Sequence, residues 1–310
     1  MPRGYGFRKE SSWQILIGAS VIGITLLAAL CVVGLSLSLL GHFTLGGLPH
    51  VTWEFLTEAP RNNNTEGGIF PAIYGTVMLV ILMSILGVPI GTVTAIYLAE
   101  YAREDSPFTR WVRFGVNTLA GVPSIVFGLF GLGFFVQFVG KGIDWMLGLG
   151  LSWGKPAIIW AAATLAVLTL PVVIVSVEEA LRSVPRELRE AALALGATRW
   201  QTIRRIVLPH AFTGILTGSI LAVSRGAGEV APIMFVGAAY SLPELPKSLN
   251  SQFMELGYHL FVLSTQSPDV EATKPLQYAT TVVLLLTTFV LNLAAILLRL
   301  KMRKQRSTGH

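Results

Sequence analysis

Two ionisable residues, Arg225 and Glu229, stand inside an otherwise apolar run from Phe212 to Ala239. A charged side chain at the centre of a membrane helix costs about 2.5–3.5 kcal/mol on insertion scales, so such groups face a bundle interior or an aqueous path. Read as one helix, the run puts the two residues on a single face, four positions apart and roughly at mid-depth. Two roles fit that placement. The pair can be a structural ion pair that neutralises itself within the bundle. Alternatively, Arg225 meets a passing anion, whose oxygens match the guanidinium through paired hydrogen bonds, while Glu229 holds the arginine and keeps the anion from binding too tightly.

A second group of residues lies between Glu178 and His210, where charge is dense but helical periodicity persists. Pro185 suits a first helical position, and Leu188, Ala191, Ala192 and Leu195 recur on one helical face. Gly196 follows where a left-handed C-terminal cap is wanted. Thr198 with Gln201 three residues on forms a capping-box pattern, and Trp200, Ile203 and Val207 continue an apolar stripe until Pro209 stops it. The expectation is two short amphipathic helices in an L, exposed at the cytoplasmic face. On periodicity alone they could equally lie in the membrane interface.

The elements that must position these residues are membrane helices. Hydrophobic residues make up 53% of the 310-residue chain and charged residues 13%, against about a quarter charged in soluble domains. Six stretches reach the roughly 20 residues that cross a bilayer: Trp13 to Leu40, Ile69 to Leu98, Phe114 to Val139, Pro156 to Val177, Phe212 to Ala239 and Leu276 to Leu298. The first follows Arg3, Arg8 and Lys9 but is too long for a signal-peptide core and has no small-x-small cleavage pattern, so it reads as a retained helix. Seventeen Lys and Arg residues fall in the two tails and in the loops after the second and fourth stretches, against five in the opposite loops. Both termini are therefore expected in the cytoplasm of a multi-pass plasma-membrane protein. Residues 1–12 form an N-terminal tail, 13–300 a six-helix domain with residues 178–211 as its cytoplasmic loop, and 301–310 a basic tail.

Pro89, Pro123, Pro171 and Pro232 fall within apolar stretches and imply kinked helices. The single cysteine, Cys31, excludes an internal disulfide and is expected in packing. His42, His50, His210, His259 and His310 show no ligand spacing and read as structural or surface residues, with no metal site expected. The region from Gly41 to Gly67, including the Asn63-Asn64-Thr65 sequon, reads as an external loop. No phosphate-cradling loop is present, since Gly140-Lys141 is followed by Gly142. ATP hydrolysis is accordingly not expected of this chain, with no cofactor on it and no enzymatic activity of its own.

The string Glu190-Ala191-Ala192, then Gly196, then nine residues, then Ile206-Val207-Leu208-Pro209 resembles the EAA loop of ATP-binding-cassette importer permeases at every position. The resemblance implies that Glu190, Ala191, Ala192, Gly196, Ile206, Leu208 and Pro209 form the surface that docks on a separate partner ATPase, which carries ATP and Mg. Arg225 to Pro232 resembles the R-A-x-G-E-x-A-P stretch of bacterial phosphate permeases of the PstA type. So do Gly68 to Ala72, Tyr97 to Tyr101 and Asn117 to Gly128. Gly226 stands where that family usually has alanine, a departure expected to loosen helix packing slightly. What the resemblance implies is an all-α, MetI-like type I permease that imports phosphate, with sulfate or molybdate as the alternative cargo. It also implies a homologous second permease (PstC-like), two ATPase copies (PstB-like) and an external phosphate-binding protein (PstS-like), within membrane lipid and with no nucleic acid. The absence of a cluster of intramembrane His, Asp, Glu or Cys argues against a membrane enzyme, and a passive channel needs no docking loop.

Overall fold

The computed structural model describes residues 12–62, 66–103, 105–267 and 269–307. Arg3, Arg8, Lys9, the Asn63-Asn64-Thr65 sequon, His310 and the side chains of Arg303, Lys304 and Arg306 lie outside the described residues. Among the described residues, six helices are long and apolar enough to cross a membrane: Ile17–His50, Phe70–Tyr101, Ser124–Leu147, Ile158–Arg182, Arg199–Gly226 and Lys274–Met302. Helices satisfy every internal backbone hydrogen bond within the segment, which a bilayer demands.

The fourth span is the hub, packed between the second and the fifth and the most buried of the six. Its small residues Ala161, Ala162 and Ala166 are no more than 5% exposed and let neighbouring backbones approach closely. The first span behaves in the opposite way: its most apolar stretch buries no residue. It touches the sixth span near its end, where His42 and Tyr278 hydrogen-bond at 3.1 Å. Cys31, expected in packing, is exposed on the stretch of that helix that buries no residue.

Two of the expected helices are divided differently from the hydropathy reading. The third stretch is two elements, an amphipathic helix Pro107–Gly121 and a span that starts at Ser124. Pro123 disfavours helical geometry at the residue before it, and Val122 is extended with ψ 131°. The fifth stretch does not run to Ala239. Its helix ends at Gly226, and turns lead through Pro232 into the short helix Ile233–Val236. Of the four prolines expected to kink apolar stretches, Pro89 and Pro171 lie inside helices while Pro123 and Pro232 stand at breaks.

Pro209 does not stop its helix. A π-helical turn over Ile203–Val207 precedes it, with the Leu208 N–H reaching back five residues to the Ile203 carbonyl. A wider turn of this kind relieves the carbonyl clash and missing donor that proline introduces. The second limb of the L and the fifth span are thus one helix, Arg199–Gly226. Pro185 is the N-terminal cap of Arg186–Ala194 and not its first residue.

The segment Gly41 to Gly67 is also more ordered than a loop. It completes the first helix, then forms the short helix Trp53–Thr57 capped by the Thr52 hydroxyl, and a two-residue β-ladder pairing Pro60–Arg61 with Glu66–Gly67.

Candidate functional site: a mid-bundle helix break and a docking loop

The last turn of the fifth span carries Arg225, and Glu229 follows outside the helix, so the pair does not share a helical face. Its Nε to Oε1 distance is 3.8 Å, with Arg225 53% exposed and Glu229 20%. The break itself is bonded locally, since Gly228 and Glu229 donate their N–H groups to the carbonyls of Arg225 and Gly226. The mid-depth placement holds for a different reason than helical continuity. Gly226 packs against Met83 and Thr169, near the middles of the second and fourth spans. The fifth helix therefore terminates half-way through the bundle. Non-helical backbone at such depth is tolerated only where protein or an aqueous cavity meets it, and a cation in the last turn compensates the negative end of the helix.

Gly226 does not loosen this contact. A Cβ built there would sit 2.3 Å from the Met83 sulfur and 3.3 Å from Thr169 Cγ2. Glycine instead allows the fifth span to approach the second and fourth at the level of Arg225. Beside it, the Ser224 hydroxyl donates to Asn292 Oδ1 of the sixth span.

At the end of the bundle that carries the basic loops, the helix Arg186–Ala194 projects with no residue buried. It closes with both bonds of a Schellman motif: Ala197 N–H to the Ala192 carbonyl at 3.1 Å and Gly196 N–H to the Leu193 carbonyl at 2.9 Å. Gly196 has φ +83°, the left-handed region that an L side chain occupies only with strain. The capping box at Thr198 is complete, with Gln201 N–H donating to Thr198 Oγ1 and Thr198 N–H donating to Gln201 Oε1. The two limbs enclose a groove of about 340 Å³ whose lining includes Ala191, Ala192, Leu195 and Ile206. Glu190 and Pro209 are exposed, and Leu208 packs on the core beneath. Small residues in a concave, exposed groove suit a protruding element of another protein.

This loop is tied to the bundle by charges that sequence reading left inside a generic basic run. Arg189 donates to the carbonyls of Leu181, Val184 and Pro185 and, at 2.9 Å, to Glu100 Oε1 at the end of the second span. Glu178 accepts from both Arg113 of the amphipathic helix and Arg182, at 2.8 and 2.9 Å.

A family model described as a binding-protein-dependent transport system inner membrane component matches residues 87–304, from the middle of the second span through the groove and the helix break to the sixth span. The chain belongs to this permease family. A probable ABC transporter permease protein, YqgI of Bacillus subtilis, is 31% identical over 283 residues, covering 87% of this chain and 90% of that one. The phosphate transport system permease protein PstA of Mycobacterium leprae is 43% identical over 191 residues, 61% of this chain and 58% of the relative's length. Among solved structures, a bacterial ABC transporter involved in the import of the acidic polysaccharide alginate superposes with a TM-score of 0.65 at 17% identity. That superposition covers 94% of this chain and 99% of that chain, so the fold is that of an ABC importer permease, a multi-pass inner-membrane protein.

The permease also buries an acid in the connection between the fifth and sixth spans, where no sequence signal pointed to it. Glu255 is 3% exposed and caps the helix Leu256–Thr265, accepting from the N–H groups of Gly257 and Tyr258. Leu256 N–H donates to Thr76 Oγ1 of the second span. Burial pushes the Glu255 carboxyl up to about 7, against the opposing pull of the two backbone donors and the Thr76 hydroxyl. A group raised in this way contributes stability that is fully present below the ordinary carboxylate range and is lost as pH rises through 7. The buried His259 beside it, pushed down to about 4 by burial, works in the opposite sense but is common to wild type and variant. The Tm of Glu255→Gln relative to wild type is therefore expected to rise between pH 5 and pH 8, as read by thermal unfolding of the purified protein. A constant difference would show that the carboxyl does not titrate there.

Proposed function

We propose that this permease is one half of the translocation pathway of an ATP-driven importer of inorganic phosphate, with sulfate or molybdate as the less favoured cargo. The observation that carries the reading is the helix break that leaves Arg225 half exposed at mid-depth, in a chain 43% identical to a phosphate permease over 191 residues. Arg225 presents a guanidinium to a tetrahedral oxyanion, and Glu229, 3.8 Å away, competes for it so that the anion can leave. Glu190, Ala191, Ala192, Gly196, Ile206, Leu208 and Pro209 form the docking surface for a separate ATPase, which carries ATP and Mg.

A complete pathway then needs a second, homologous permease (PstC-like) facing the break, two ATPase copies (PstB-like) and an external phosphate-binding protein (PstS-like). The distribution of Lys and Arg supports a cytoplasmic position for both termini and the docking loop. Cells whose own importer permease is deleted provide the test: this chain, expressed with its partners, restores uptake of labelled phosphate at limiting concentration and leaves sulfate uptake unchanged. Restoration of sulfate or molybdate uptake without phosphate would overturn the choice of cargo.

A further inference from the structure

The docking helix Arg186–Ala194 buries no residue, so apolar packing does not fix it to the membrane domain. Three connections remain. Two are covalent, the link Ser183–Pro185 that comes from the fourth span and the turn at Gly196 that leads into the helix of the fifth span. The third is the guanidinium of Arg189, 19% exposed, which reaches the second and fourth spans at once. It donates to the carbonyl of Leu181 in the last turn of the fourth span and to those of Val184 and Pro185 in the link that follows. On the second span it meets Glu100, 11% exposed, at 2.9 Å. Glu100 lies in a π-helical turn, Tyr97–Tyr101, closed by the Ala102 N–H on the Tyr97 carbonyl. A bound ligand is a poor account of Arg189 and Glu100, because each already satisfies the other.

We propose that Arg189 and Glu100 form the tie that transmits motion of the docking helix to the second span, while the Gly196 turn transmits it to the fifth. Both are positioning residues and neither touches the transported anion. This inference rests on the reading of Arg186–Ala194 as the ATPase-docking helix. Because the guanidinium has a planar fork of five donors, it serves the helix-end carbonyls and the carboxylate together. An ammonium in the same place has to choose between them. A motion of the docking helix that breaks the Glu100 contact leaves the second span behind, and the two spans flanking the hub then move out of step.

The test uses the complete reconstituted complex of both permeases, ATPase and external binding protein. The quantity measured is ATP hydrolysis with loaded binding protein divided by hydrolysis without it. Glu100→Gln and Arg189→Lys are each expected to lower this ratio at least about fivefold, the lower end of ordinary coupling between sites, with the ATPase still co-purifying. Glu100→Asp retains most of the stimulation, and the double variant Glu100→Gln/Arg189→Lys is no lower than the worse single one. An unchanged ratio in both single variants overturns the proposal. So does a fall that comes only with loss of the ATPase from the complex, since the pair would then serve assembly alone. Wild-type hydrolysis stimulated by sulfate-loaded and not by phosphate-loaded binding protein would refute the phosphate reading while leaving this comparison intact.

Discussion

Replacing Arg225 by glutamine is expected to reduce phosphate uptake by about 10- to 100-fold, the range set by losing charge-assisted hydrogen bonds of about 1.5–3 kcal/mol. The side chain is half exposed and makes its ion pair with a residue outside the helix, so glutamine is accommodated without repacking. ATPase co-purification and basal ATP hydrolysis are expected to stay near wild type, because the docking groove lies at the other end of the same helix. Arg225→Lys is expected to fall between the two, since a single ammonium keeps the charge but not the planar fork. Glu229→Gln removes the competitor for the guanidinium and is expected to slow release of the anion, lowering the turnover rate while tightening apparent affinity. Uptake by Arg225→Gln at the wild-type rate would reduce the pair to a structural role.

Gly196→Val is expected to detach the ATPase. No atom lies within 4 Å of a Cβ built at this exposed glycine, so a steric clash plays no part and the effect is conformational. At φ +83°, a non-glycine residue pays about 1–2 kcal/mol, and a β-branched one more. That strain is relieved by unwinding the Schellman turn, which changes the angle between the two limbs that form the groove. Recovery of the ATPase with the affinity-purified permease is expected to drop about tenfold or more, consistent with that strain. Gly196→Asn, which tolerates the left-handed region, is expected to bind almost normally. Equal loss in both variants would mean that the side chain itself clashes with the partner and that backbone conformation is not the cause.

Much of the loop was legible in the sequence because its signals are local. Thr198 and Gln201 specify a capping box, Gly196 a left-handed residue, and Leu188, Ala191, Ala192 and Leu195 one face, and each feature is in the structure. The number of spans followed from composition alone. The helix break at Gly226 was not recovered, since hydropathy averages over a window and Ala227, Val230 and Ala231 keep the run apolar. Gly226, Gly228 and Pro232 together were the available signal for an interruption. Pro209 misled in the other direction, because a π turn upstream absorbs the defect and no residue pattern announces it. The tie between Arg189 and Glu100 joins residues 89 positions apart, and only the three-dimensional arrangement singles out that arginine among its basic neighbours. The exposed first span shows the limit of a single chain, since an apolar helix of 36 residues has most of its surface left to lipid or to another subunit.

The measurement that bears most directly on the central claim is uptake of labelled phosphate into sealed vesicles holding the two permeases and the ATPase, with binding protein outside and ATP inside. Phosphate is predicted to accumulate above its external concentration only when both ATP and binding protein are present, and excess sulfate or molybdate is predicted not to compete. Accumulation of sulfate or molybdate in place of phosphate under those conditions would contradict the assignment.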